Sequence, residues 1–171
     1  MNPIKTLAAA SLLMSAMWAQ ASAPSAAPDA AQVKAAHDLL VSMQAEKMVR
    51  TTAGMSKYPS PAQRELMMAK LDKLPNETVY SRLALPVARL ISTETAVEMT
   101  QYYQSSYGQK VLTQTYNGPP RLYPADPTPT AKEKAELKKP AFVKANQEFK
   151  AAEQAIHHEA FLLIGEINKG K

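Results

Sequence analysis

The sequence predicts an all-α fold, a single-domain bundle of about five helices with a proline-rich loop before a long C-terminal helix. Three observations carry that expectation. Glycine is scarce, at 5 of 171 residues, and no stretch sustains the apolar–polar alternation of a strand. Apolar residues recur at helical spacing, most clearly Phe142, Ala145, Phe149, Ala152, Ile156, Ala160, Leu163 and Ile167, three or four apart throughout. Most of the 13 prolines fall between such stretches rather than within them. With no cysteine, neither disulfides nor thiolate metal sites are available, so the chain must cohere through its core.

The first element is an export signal. Lys5 precedes an apolar run from Leu7 to Trp18, and small residues follow at alternating positions, Ala19, Ala21 and Ala23. The run is shorter than the roughly 20 residues of a membrane span. Cleavage after Ala23 would place Pro24 next to the scissile bond, so cleavage after Ala21 is favoured and residues 1–21 are read as a signal peptide. The expected location is the periplasm, with no membrane-spanning segment left after cleavage. The whole chain carries 20 Lys and Arg against 15 Asp and Glu, a net charge of +5, which becomes +4 without Lys5. A balance that mild favours anionic surfaces weakly and fits an ordinary lysine-rich exterior as well.

Residues 22–28 form a Pro/Ala-rich leader expected to lack order. The helical part carrying the first half of the core is expected over 29–116. Asp29 is placed to cap a helix whose stripe is Val33, Ala36, Leu40 and Met43, running to about Thr52 with Gly54 near its end. Tyr58-Pro59-Ser60-Pro61 reads as a turn, with Ser60 capping a helix that Pro61 opens and Pro75 stops. Asn76 is expected to cap a short helix with Val79, Leu83 and Leu85 inward, kinked or restarted at Pro86. Ser92 and Thr93 open the next helix. Residues 117–130 hold five prolines and read as a loop. Thr130 and Glu133 match a capping box, opening a C-terminal helix or kinked pair over 131–171 that Pro140 divides or bends. Leu162 and Ile164 are expected to widen its apolar face.

The stretch VEMTQYYQSSYGQKVL, residues 97–112, raises the functional question. On a helix, Met99, Tyr103, Tyr107 and Val111 form one ridge, flanked by Val97, Gly108 and Leu112, and this arc is expected to be buried. Glu98, Tyr102, Ser105 and Gln109 form a second ridge expected to face water. Tyr102, Ser105 and Gln109 are therefore the candidate interaction surface. Gly108 costs about 1 kcal/mol of helix stability relative to alanine. Two explanations are open: another helix approaches its backbone closely, or the helix breaks near Ser105 or Gly108.

This stretch carries a resemblance. LISTETAVEMTQYYQSSYGQKVL resembles the signature of bacterial domain-of-unknown-function family 2059, with Tyr102 and Tyr103 as its aromatic pair and Ser105, Gly108, Gln109 and Lys110 as matching positions. AAHDLLVSMQAEKMV is similar to the family's N-terminal helix, with Leu39, Leu40, Glu46 and Lys47 in the corresponding places. The resemblance covers roughly residues 33–113 and fades beyond the proline-rich loop. Ser106 stands where the family usually has proline. The resemblance implies an exported, all-helical protein and no particular activity.

Other chemistry-bearing residues are sparse. Glu153 and His157 lie four apart on a helix and could both face one metal ion, but no third ligand accompanies them, so no metal or cofactor is expected. Met43, Met48, Met55, Met67, Met68 and Met99 lack the short regular spacing of copper-binding clusters and read as core filling, or as a flexible groove for apolar peptides or lipid. Ser105 and Ser106 have no nucleophile motif around them. The lysines from Lys132 to Lys150 read as the solvated side of an amphipathic helix, with weak membrane-surface contact as the lesser alternative. Export and dispersed charge argue against nucleic acid. The leading expectation is a non-catalytic protein that contacts another protein or a cell-envelope component. The alternative is a small-molecule or lipid carrier with a cavity between helices lined by Met and Tyr. Catalysis would require distant helices to gather Glu153, His157 and a tyrosine hydroxyl in one polar cleft.

Overall fold

The computed structural model describes residues 27–117 and 126–170. The expected signal peptide, most of the expected leader and residues 118–125 of the proline-rich stretch lie outside them. The described residues form eight α-helices and no strand. They are α1 (Ala30–Ser42), α2 (Ala45–Met55), α3 (Pro61–Lys73), α4 (Asn76–Ala88), α5 (Thr93–Gln104), α6 (Ser106–Asn117), α7 (Ala131–Glu136) and α8 (Pro140–Asn168). The excess over about five comes from two breaks, one at Gln44 that no proline or glycine announces and one at Ser105, together with the separation of α7 from α8.

The first break splits the helix expected to run unbroken from Asp29 to Thr52. Asp29 does cap α1, its side chain accepting from the Gln32 N–H at 2.8 Å while the Gln32 side chain reaches back to the Asp29 N–H. The helix ends at Ser42, and Gln44 adopts left-handed backbone angles, φ 58° and ψ 53°. That turn lets α1 and α2 bury separate faces, Ala36, Leu39 and Leu40 from one and Met48, Val49 and Ala53 from the other.

Ser60 caps α3 with Pro61 at its first turn, and Met67 is its one fully buried side chain. Asn76 does not cap α4; it is the first helical residue, and Pro75 precedes it without a side-chain cap. The helix continues through Pro86 to Ala88. Val79 and Leu83 point inward as expected, but Leu85 is exposed. The inward face proceeds instead through Ala84 and Val87, which lie nearer to Leu83 around the helix.

The helix α8 is the central strut, 29 residues long and packed against α2, α3, α4 and α5. Its stripe from Phe142 to Ile167 is buried at every expected position. Ile164 joins that face, whereas Leu162 is exposed, because a residue one position before Leu163 turns to the solvent side. Pro140 opens α8 and so divides it from α7. A polar latch joins α8 to α5: the Ser92 N–H and hydroxyl donate to Glu148 at 2.6 and 2.9 Å, and the buried Thr95 hydroxyl donates to it at 2.5 Å. Ser92 is also the N-cap of α5, so one carboxylate of α8 fixes where α5 begins.

Candidate functional site

The second break creates the site. Ser105 ends α5 and starts α6 at once. Its N–H donates to the Gln101 and Tyr102 carbonyls, both at 3.0 Å, and its hydroxyl donates to Tyr102 O at 2.6 Å. The same hydroxyl accepts from the Gly108 N–H at 3.1 Å, and the Ser105 carbonyl accepts from the Gln109 N–H at 3.0 Å. The Gln109 side chain then donates to Tyr103 O at 2.6 Å, satisfying a terminal carbonyl of α5. Both explanations of Gly108 hold together. The helix breaks at Ser105, and the returning α6 presses Gly108 so close that an added Cβ would lie 2.0 Å from Tyr102 O.

A cleft of about 570 Å³ opens beside this junction. Its buried lining includes Met99 of α5 and Phe142, Phe149 and Ile156 of α8, the last three spaced by sevens. One wall is Met43 with Met48, Thr51, Thr52 and Met55 of α2. The other is Tyr107, Val111, Leu112, Thr115 and Tyr116 of α6. Tyr102, Tyr103, Leu137 and Asp126 complete the described lining. Along α8 a polar row of Asn146, Lys150, Glu153 and His157 follows the rim at spacings of four, three and four. Four methionines and four tyrosines thus share one space.

The tyrosines are the most constrained groups. Tyr102 packs against Phe142 and Tyr103, each with ring centroids 5.0 Å away, and Tyr103 meets Phe149 at 6.3 Å. Burial, followed by the neighbouring Tyr107 and the Asp126 carboxylate, pushes the Tyr102 hydroxyl up to about 12. Tyr103 is raised by burial first, then by Tyr102, Tyr116 and Glu153. Burial and Glu46 push Tyr116 up to about 12. All remain protonated near neutral pH and serve as donors. Tyr107 donates to the Pro127 carbonyl at 3.0 Å, and Tyr116 reaches Met43 O at 3.4 Å. The hydroxyls of Tyr102 and Tyr103 have no hydrogen-bond partner among the described residues, and neither is sealed from solvent.

The residues singled out in the sequence are redistributed by this geometry. Tyr102 is half-buried among aromatic rings instead of projecting into water. Ser105 and Gln109 are exposed, as expected, but both engage the main chain of the α5–α6 junction. Tyr102 and Ser105 also line a second groove of about 500 Å³ against α7, which Gln109 does not reach. Within the buried arc Met99, Tyr107, Gly108 and Leu112 are covered, Tyr103 is half-buried, and Val97 is exposed because α5 turns that edge away from α8. Glu153, His157 and four lining tyrosines do share the cleft, with no hydrogen bond joining Glu153 to His157 among the described residues. No group of three metal-ligating side chains occurs among them either. Phe149, Tyr116, Thr51 and Asp126 were not recognisable as site residues. For Phe149 the signal is the polar row on α8 running beside the apolar positions spaced by sevens; Thr51 on α2, Tyr116 on α6 and Asp126 in the loop carry no such local signal.

Among the described residues no helix is long and apolar enough to cross a membrane. No protein-family model, no curated protein and no solved structure matches this chain.

Proposed function

We propose that this is an exported periplasmic protein, a single-domain helical bundle and divergent member of family 2059, that binds a small amphiphilic molecule in its cleft without catalysing a reaction. The supporting observation is the cleft itself. Its volume of about 570 Å³ falls in the range of small-molecule sites, which span roughly 300–1,000 Å³. Methionines and aromatic rings supply adaptable apolar contact, and the hydroxyls of Tyr102 and Tyr103 offer donors to a polar end. This reading places the carrier alternative ahead of the protein or envelope contact that the sequence put first. Contact with a partner retains support of its own from large exposed apolar side chains, Met55 at 75%, Leu66 at 58% and Phe161 at 53% exposure.

Native mass spectrometry of protein purified from its own compartment tests the proposal. A retained small-molecule mass, and an intact mass beginning at Ser22, are the expected results. A bare mature chain that also fails to take up the apolar dye N-phenyl-1-naphthylamine saturably would overturn the ligand reading. An unprocessed N-terminus would overturn export.

A further inference from the structure

Resting on that reading of the cleft, we propose that its ligand carries a cationic head, a protonated amine or quaternary ammonium joined to an apolar tail. Five aromatic rings, those of Tyr102, Tyr103, Tyr107, Phe142 and Phe149, gather at one end of the cleft. Their planes are not stacked: Tyr102 lies at 35° to Phe142, 65° to Tyr103 and 60° to Tyr107, and Tyr103 at 71° to Phe149. Rings turned in several directions around one space present both faces and edges to it. The face of an aromatic ring is its negative side, and an alkylammonium is a guest that several faces can hold together.

The charges around the rings point the same way. Asp126 and Glu153 both belong to the lining, and neither has an ion-pair partner among the described residues. Asp126 acts on the hydroxyls of Tyr102 and Tyr107, and Glu153 on that of Tyr103, in each case after the effect of burial. The cation felt by this group, Lys110 acting on Tyr107, is already tied to Glu133 at 2.8 Å. Lys150 shares the rim but is exposed, three residues from Glu153. The protein also sets an ammonium of its own over a cleft tyrosine, with Lys47 Nζ 5.7 Å from the centroid of the Tyr116 ring. The described lining thus sets two carboxylates, Asp126 and Glu153, against one ammonium, that of Lys150, although the whole chain carries +5. A thioether-lined remainder, from Met43, Met48 and Met55, accommodates the tail.

Calorimetric titration with three amphiphiles that share an eight-carbon chain, each below its micellar concentration, tests the head-group preference. These are octyltrimethylammonium, octyl glucoside and octanoate. The cation is expected to bind about fivefold or more tightly than the glucoside, with octanoate weakest. Paired substitution of the exposed Asp126→Asn and Glu153→Gln should remove most of that advantage and leave octyl glucoside unchanged. Lys150→Gln should tighten the cation severalfold. Tyr102→Leu should weaken the cation more than the glucoside, and circular dichroism of each variant confirms that it is folded. Equal affinity for cation and glucoside, or tighter binding of octanoate, overturns the cationic head while leaving the amphiphile site standing. Binding of none of the three overturns both.

Discussion

A Cβ on Gly108 would lie 2.0 Å from the Tyr102 carbonyl oxygen and 2.7 Å from Tyr103 Cα, both backbone atoms that no side-chain rotation can move aside. Gly108→Ala is therefore expected to destabilise the protein by about 2–3 kcal/mol in urea unfolding, at the upper end of overpacking costs. Gly54 provides the contrast, because nothing lies within 4 Å of its virtual Cβ and it sits in the last turn of α2. Gly54→Ala should stabilise by about 0.5–1 kcal/mol through helix propensity alone. Equal effects at the two glycines would refute the close approach of α6 to α5. Glu133 is the residue-scale acid sensor. Lys110 foremost, then the Thr130 N–H and Ser106, hold its carboxyl down to about 2 from an ordinary 4.5. Because the folded value is the lower one, the stability it contributes is complete above pH 4.5 and is lost as pH falls toward 2. Melting temperatures measured across that window should fall less steeply in Glu133→Gln than in the natural protein.

Among the elements, the junctions decide the architecture, and they were the hardest features to read. Asp29, Ser60, Thr130 and the stripe of α8 could be located from residue type and spacing, because a cap or a period-3.6 stripe is a local property. The turn at Gln44 could not. Glutamine has no preference for left-handed angles, and only the packing of α1 and α2 on different partners holds it there. Gln44→Gly is accordingly expected to stabilise by about 1 kcal/mol in denaturant melts, since glycine adopts those angles without steric cost. The break at Ser105 was half legible: its residues were conspicuous, but with serine at position 106 either a kink or a close contact explained Gly108. The α5–α8 latch was not legible at all, because Glu148 lies more than 50 residues from Ser92 and Thr95 in the chain. Glu148→Ala strands three donors, including the hydroxyl of buried Thr95, and should cost about 2 kcal/mol or more. A loss below 0.5 kcal/mol would show that water replaces the carboxylate.

For the molecule as a whole, α8 supplies nine buried residues to a core otherwise assembled from α1 to α5. A chain stopped before Pro140 would strip that cover from α2, α4 and α5, and its circular dichroism should show a largely unfolded coil. Helicity close to that of the full chain would instead mean that the first helices fold alone. The all-helical class followed from composition and periodicity, which belong to the chain as a sequence. A Met- and Tyr-lined cavity stood only as the alternative reading, because it is a gap between α2, α6 and α8, and its width depends on how far apart packed helices come to rest. That spacing has one fixed stop. Where α6 leaves the break at Ser105, main chain meets main chain at Gly108, so the gauge of the opening is set by atoms every amino acid possesses. Exchanging the methionines or tyrosines along its sides would then change what fits inside while the jaws keep their separation, and a family of differently tuned receptors could be cut from this one frame.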